Sequence, residues 1–229
     1  MQKDSIINII LVGIGLCVVC GAVISTVAVS LKDQQEQNVI FDQQSKIIDA
    51  ARLLEVYPSS QEALASIEEV VVNLDEGQPS DLPADQYDLD TILRDSSQYT
   101  VLDGSDDIAM ISVRENLSKV YIEYRNNELK TLILPVRGYG LWGTLYGYLA
   151  LDSDLNTIVG LEFYKHKETP GLGAEVDNPN WKKLWNGKRV YDEKGLVQIS
   201  VIKGFSNPEN AEYSYEVDGL SGATITSKG

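Results

Sequence analysis

Residues 118–136 read SKVYIEYRNNELKTLILPV. Val120, Ile122 and Tyr124 alternate, which is the two-residue period of a strand. Asn126-Asn127 supplies a turn, and Leu132 to Val136 returns as a second strand. A hairpin here predicts an antiparallel sheet, and the sheet is expected to begin near Ile108. Further strands are predicted at Thr144–Leu151, Thr157–Tyr164 and Leu196–Ile202. A short helix is expected after Asn178-Pro179, with proline in its first turn and Trp181, Leu184 and Trp185 on one face.

Working back towards the amino terminus, the pattern from Asp33 to Glu55 is helical. Val39, Ile40, Ile47, Ile48, Ala51 and Leu54 recur at spacings near three and four. Tyr57-Pro58 breaks this helix. Ser59, with Glu62 three residues on, forms a capping box for a second helix predicted to run to about Val71. Residues 75–107 are acidic and polar and read as a long surface connection with short elements. No internal repeat is present.

The first part of the chain is different in kind. Ser5 to Leu31 is a run of 27 residues without a charge. A bilayer core needs about 20, whereas the apolar core of a cleavable signal peptide has about 7–15. A retained transmembrane helix is predicted, with Gly13, Gly15, Gly21, Ala22 and Ser25 suited to close contact with other membrane helices. Lys3 and the amino terminus weigh against Lys32 and Lys46, so charge does not set the orientation. The fold class is therefore α+β: one N-terminal transmembrane helix, then a single domain with a twisted, mainly antiparallel sheet flanked by helices. The expected division is 1–32 for the anchor, 33–107 for a stalk helix and a helical and loop region, and 108–229 for the sheet domain.

Composition narrows the chemistry. The net charge is −15, which repels phosphate backbones and argues against nucleic-acid binding. The two cysteines, Cys17 and Cys20, both lie in the anchor, and His166 is the single histidine. The soluble part therefore has no disulfide, no Cys-ligated iron–sulfur cluster, no thiolate zinc site, no c-type haem and no multi-histidine metal site. Redox chemistry there would come from an organic cofactor.

Two glycine-rich segments follow the predicted strands. The first is His166-Lys167-Glu168-Thr169-Pro170-Gly171-Leu172-Gly173. Pro170-Gly171 suits the centre of a tight turn, and Gly171 and Gly173 allow close approach to a flat ligand. The second is Asp218-Gly219-Leu220-Ser221-Gly222-Ala223-Thr224-Ile225-Thr226-Ser227. It groups four hydroxyls beside backbone N–H groups that can line a phosphate. Gly222 and Ala223 leave Thr224 prominent. A threonine hydroxyl is a poor nucleophile, so a phosphoester on it needs an enzyme or a metal to form. Upstream, Gly138-Tyr139-Gly140-Leu141-Trp142-Gly143 adds a flexible backbone and a flat indole. By composition alone the two glycine-rich segments are also ordinary turns and strand ends.

SGATITS, HKETPGLG and RGYGLWG behind one N-terminal anchor resemble the C subunit of the Na⁺-translocating NADH:quinone oxidoreductase, over the whole chain. Asp218, Ser221, Gly222, Ala223 and Thr224 match the spacing of FMN-binding domains that carry flavin on the last threonine. The resemblance implies FMN held covalently by a phosphoester to Thr224. It implies a cradle of Ser221, Gly222, Ala223 and Thr226, and a ring approached by Glu168, Thr169, Gly171, Leu172 and Gly173. Leu141, Trp142 and Gly143 would face it, and Lys203 would meet the phosphate or the ring edge. No catalytic residue and no metal ligand is implied.

The same resemblance implies an electron-transfer component of a bacterial inner-membrane complex, with its soluble domain in the periplasm. Electrons would pass from a membrane iron centre towards the FMN of the B subunit and finally quinone. The partners would be the A, B, D, E and F subunits, and a flavin transferase that uses FAD and a divalent metal during maturation. Members of the family continue past the threonine motif with a further ordered segment, whereas this sequence ends at Gly229. Two other readings stand beside this one. One is the G subunit of the related Rnf complex, which shares the threonine motif. The other is an anchored extracytoplasmic binding or sensor domain without cofactor.

Overall fold

The Asn126-Asn127 turn joins two strands in the computed structural model, which describes residues 5–228. Both asparagines have left-handed backbones, φ 54° and 61°, as a two-residue hairpin loop requires. The flanking strands are β5 (Leu117–Arg125) and β6 (Glu128–Tyr139). Around them lie β1 (Ile67–Asn73), β2 (Gln78–Pro79), β7 (Thr144–Asp152) and β8 (Ile158–Lys165). They form one six-stranded sheet in the order β2-β1-β5-β6-β7-β8, antiparallel throughout. Two small ribbons accompany it: β3 (Tyr99–Val101) with β4 (Val113–Glu115), antiparallel, and β9 (Ser200–Val201) with β10 (Glu216–Val217), parallel.

Several expectations change. The second helix, α2 (Ser60–Ala65), keeps its predicted cap, with the Glu62 N–H donating to Ser59 Oγ at 3.3 Å. It stops at Ala65, well short of Val71, because Ile67–Asn73 pairs with β5 along its whole length. The sheet thus begins at Ile67, not near Ile108, and its first strand lies within the segment 33–107 expected to hold only helix and loop. The strand predicted at Leu196–Ile202 shrinks to Ser200–Val201. Helix α4 (Pro179–Lys182) has Asn178 as its cap and buries Trp181, but Leu184 is exposed. Residues 75–107 contribute only the short helix α3 (Leu89–Ile92), a 3₁₀ turn and the edge strands.

The N-terminal helix α1 runs without a break from Ile6 to Ala50. It is long and apolar enough to cross a membrane. Anchor and stalk are therefore one helix, which ends at Ala50 before Arg52 takes a left-handed φ of 53°. Contacts divide the chain between Gln43 and Gln44.

The two faces of the sheet carry different layers. On one, Ile47, Ile48, Ala50, Leu53 and Ala63 pack on Tyr121, Ile133, Tyr148 and Ala150. Gly160 on β8 lets the helix end come close, since a Cβ there would sit 2.4 Å from the Ala50 carbonyl oxygen. Glu123 is fully buried on this face. It is tolerated because the Tyr57 hydroxyl, the Arg125 guanidinium and the Thr131 hydroxyl all donate to it. On the other face, Leu145, Leu161, Val176, Trp181 and Val217 form a second core. That core is covered by residues 173–185, which follow on from the first glycine motif, and by the segment after β10, which carries the second.

Candidate functional site

The loop between β8 and α4 begins at His166. Its Nδ1 accepts the Glu168 N–H at 3.2 Å, so its Nε2 is the atom that donates to Asp177 Oδ2 at 2.7 Å. This places Glu168 at the turn. Thr169 to Leu172 forms the predicted tight turn: the Leu172 N–H donates to the Thr169 carbonyl at 3.1 Å, and Gly171 has φ 76°. Proline second and a positive φ third is a type II turn. Nothing lies within 4 Å of the Cβ that Gly171 lacks, so its backbone faces open space.

The terminal segment makes a second turn of the same kind. The Ala223 N–H donates to the Leu220 carbonyl at 3.2 Å, and Gly222 has φ 77°. Ala223 is buried, while Ser221, Gly222, Thr224 and Ile225 are exposed. Thr224 thus faces outward, next to an anchored alanine. The Ser227 N–H closes the turn on the Ala223 carbonyl at 2.9 Å. Among the described residues, the N–H groups of Ser221, Gly222 and Ile225 have no backbone acceptor, which leaves donors free for an anion. Asp218 fixes the base of the segment. Its Oδ1 accepts from the Ser206 N–H and hydroxyl at 2.7 and 2.6 Å, and its carbonyl accepts the Trp181 indole N–H at 2.7 Å. Gly219 lies against β9, where a Cβ would come 2.3 Å from the Ile202 carbonyl oxygen.

The three motifs meet at one buried side chain. Glu168 is 6% exposed. Its Oε1 accepts the Trp142 backbone N–H at 2.9 Å, and its Oε2 accepts the Thr226 hydroxyl at 2.6 Å. Glycines make room on both sides. A Cβ at Gly140 would lie 2.7 Å from Oε1, and one at Gly173 would lie 2.2 Å from Oε2. The Gly140 N–H donates to the Gly143 carbonyl at 2.9 Å, which closes the Leu141-Trp142 loop. The Lys167 stem lies 3.5 Å from the Cβ position of Gly143, and Leu172 lies 3.5 Å from that of Gly222.

Around this joint the surface is apolar and open. Leu141, Trp142, Leu172 and Ile225, which lie on the three loops that Glu168 joins, are each more than half exposed. Isolated exposed apolar groups need no explanation, but a cluster at the meeting point of three loops does. Lys203 is exposed immediately after Ile202, whose carbonyl packs on Gly219. It therefore follows directly on the residue that meets the base of the terminal segment. Thr169 is exposed on the turn. Sequence reasoning does not single out Gly140, Gly219, Ser206 or Asp177 as site residues. Gly140 is legible as part of a Gly-x-Gly-x-x-Gly run, but Ser206 and Asp177 matter only through contacts that the fold creates.

This arrangement is that of an FMN-binding domain, and residues 140–229 match the family described by that name. The chain is 44% identical to the C subunit of the Na(+)-translocating NADH-quinone reductase of Pseudomonas aeruginosa, over the whole of this chain and 89% of that protein. A crystal structure of Shewanella oneidensis NqrC superposes with a TM-score of 0.70 and 32% identity, over 80% of this chain and 84% of that one. The corresponding C subunit from Parabacteroides distasonis gives a TM-score of 0.63 and 30% identity, over 87% and 88%. The chain belongs to the family of the C subunit of the Na⁺-translocating NADH-quinone reductase.

Proposed function

We propose that this chain carries FMN covalently on Thr224 and relays electrons within a Na⁺-translocating NADH-quinone reductase. The observation that carries this reading is the outward Thr224 at the meeting point of the three motifs. Ser221, Gly222, Ala223 and Thr226 form the base of the cradle. Glu168, Thr169, Gly171, Leu172 and Gly173 border the ring on one side, and Leu141, Trp142 and Gly143 on the other. Lys203 contributes charge near the phosphate end. Bound flavin supplies one-electron chemistry, and the chain attaches, orients and shields it.

Attachment joins Thr224 Oγ to the phosphorus of the FMN half of FAD. The threonine proton and AMP leave, with a flavin transferase and a divalent metal as helpers. A tether keeps the cofactor from diffusing away and fixes its distance to neighbouring centres. With α1 in the inner membrane, the domain lies in the periplasm. There it takes electrons from a membrane iron centre and hands them to the FMN of the B subunit, on the way to quinone. The A, B, D, E and F subunits are its partners.

Co-expression with a flavin transferase tests the reading. The full-length chain should give a fluorescent band on an ultraviolet-illuminated denaturing gel, and Thr224→Ala should give a dark one. A dark wild-type band would sink the proposal and favour an anchored binding domain without cofactor.

A further inference from the structure

Glu168 does more in this fold than border a ring. Among the described residues its side chain joins all three glycine motifs, and it does so from a nearly inaccessible position. Each oxygen has one donor: the Trp142 N–H on Oε1 at 2.9 Å and the Thr226 hydroxyl on Oε2 at 2.6 Å. The Trp142 N–H can only donate, so Oε1 must accept. The backbone is shaped around the carboxylate, because Gly140 and Gly173 each leave less room than a methyl group needs beside its oxygens. Burying a carboxylate is costly unless donors surround it. The chain buries one here, and its donors come from the Leu141-Trp142 loop and from the segment that carries the exposed Thr224.

We infer that Glu168 is a positioning residue: through Trp142 and Thr226 it holds the two loops on either side of Thr224 in register, and it places a buried negative charge beside the bound flavin. This rests on the attachment reading above for its flavin part only. The loops are held whether or not flavin is present. Glu168 accepts the hydroxyl of Thr226, two residues from the attachment point. Losing that link frees the turn that presents Thr224. Losing the Trp142 link frees the indole wall. A fixed negative charge near the ring disfavours added electrons, so it holds the flavin's reduction potential down.

The glutamine variant separates geometry from charge. In Glu168→Gln the amide oxygen still accepts the Trp142 N–H, and the Thr226 hydroxyl turns to accept the amide N–H. The shape survives and the charge goes. Glu168→Ala loses both links, and Thr226→Val loses one while keeping Glu168.

Four full-length proteins in detergent would be compared: wild type, Glu168→Gln, Glu168→Ala and Thr226→Val. Without transferase, Glu168→Ala should speed amide exchange by about tenfold in peptides covering 140–143 and 220–227, as loss of a charge-assisted hydrogen bond implies. Thr226→Val should speed it in 220–227 alone, which keeps the test open if Glu168→Ala does not fold. Glu168→Gln should exchange like wild type. After flavin attachment, intact mass should show a smaller labelled fraction for Glu168→Ala than for Glu168→Gln. The midpoint potential of Glu168→Gln should be more positive than that of wild type. Unchanged exchange in Thr226→Val, loop exchange in Glu168→Gln as fast as in Glu168→Ala, or an unmoved potential in Glu168→Gln would overturn the inference. A wild-type chain with no adduct would instead refute the attachment reading and leave the exchange comparison standing.

Discussion

Gly173→Ala puts a methyl group against the carboxylate on which the site converges. The new Cβ would lie 2.2 Å from Glu168 Oε2, 2.9 Å from Thr226 Oγ1 and 3.0 Å from Glu168 Cβ. Gly173 is not among the glycines with positive φ, so its backbone accepts alanine. Relief of chain entropy alone would then stabilise the fold by about 0.4–1 kcal/mol. Two terms oppose this. Overpacking costs about 1–3 kcal/mol, and a displaced charge-assisted hydrogen bond costs about 1.5–3 kcal/mol. Taken near the middle of their ranges, the opposing terms win by roughly 2 kcal/mol or more. At about 2–4 °C per kcal/mol for a domain of this size, the midpoint of thermal unfolding should fall by at least about 4 °C. The decisive measurement is a double-mutant cycle with Glu168→Ala. Without the carboxylate the closest clash is gone and only the contacts with Thr226 Oγ1 and the Cβ of residue 168 remain, so Gly173→Ala should cost clearly less than in the wild-type background. Equal losses of unfolding midpoint in the two backgrounds would refute the claim that the glycine exists to admit Glu168.

Gly160→Ala should be worse tolerated for its size, because its Cβ would meet a backbone atom, the Ala50 carbonyl oxygen at 2.4 Å, which cannot swing aside. A loss of about 2–3 kcal/mol is expected from overpacking, read as a lower urea midpoint at an unchanged slope. Asp154 gives a pH signature. The Thr157 hydroxyl, then the Thr157 N–H, with a smaller share from Asn156, hold its carboxyl below the ordinary value of 3.8. A carboxyl with a lower value in the folded state adds stability above 3.8, and that stability is lost as pH falls through the folded value. Asp154→Asn should therefore be less stable than wild type at about pH 7, with the gap closing below about pH 3.8. Because this group is exposed, the gap at neutral pH should be small, and a constant gap down to about pH 2 would contradict the assignment.

Where the chain's structure is set locally, it can be read from the sequence. The Asn126-Asn127 hairpin needs two left-handed residues in a row, and asparagine tolerates that backbone better than most. The Ser59 cap and the Asn178-Pro179 helix start depend on neighbours within three residues. Strand β1 escapes a local reading for the opposite reason. Ile67–Asn73 directly follows a capped helix, and its Val70-Val71-Val72 run fits either state until a partner is present. Pairing with β5 along its length supplies the partner, and β-branched side chains then favour the strand. The face of β5 shows the same limit. Alternation points to Val120, Ile122 and Tyr124, yet Tyr124 is exposed and Glu123 is wholly buried. No rule of hydrophobic patterning buries a glutamate whose three donors come from Tyr57, Arg125 and Thr131.

The site divides along the same line. The turns at Pro170-Gly171 and Gly222 are legible, since each needs a positive φ that glycine supplies. The assembly is not. Glu168 reads in the sequence as one more polar residue in a loop, and Thr226 as one hydroxyl among four. Their 2.6 Å contact spans 58 positions of chain. It forms only because β8 ends beside residues 173–177 and the terminal segment crosses the same face of the sheet. That closure makes Thr224 a presented side chain rather than a residue in a loose tail. Ala223 is buried before it and the Thr226 side chain is tied down two residues after it, while Thr224 itself is exposed. On the proposed attachment, a hydroxyl reached by another enzyme has to stand clear of the fold, yet the attached group must then lie against it. An exposed threonine between the buried Ala223 and the tied Thr226 meets the first demand, and the exposed Leu172 and Ile225 offer apolar surface for the second.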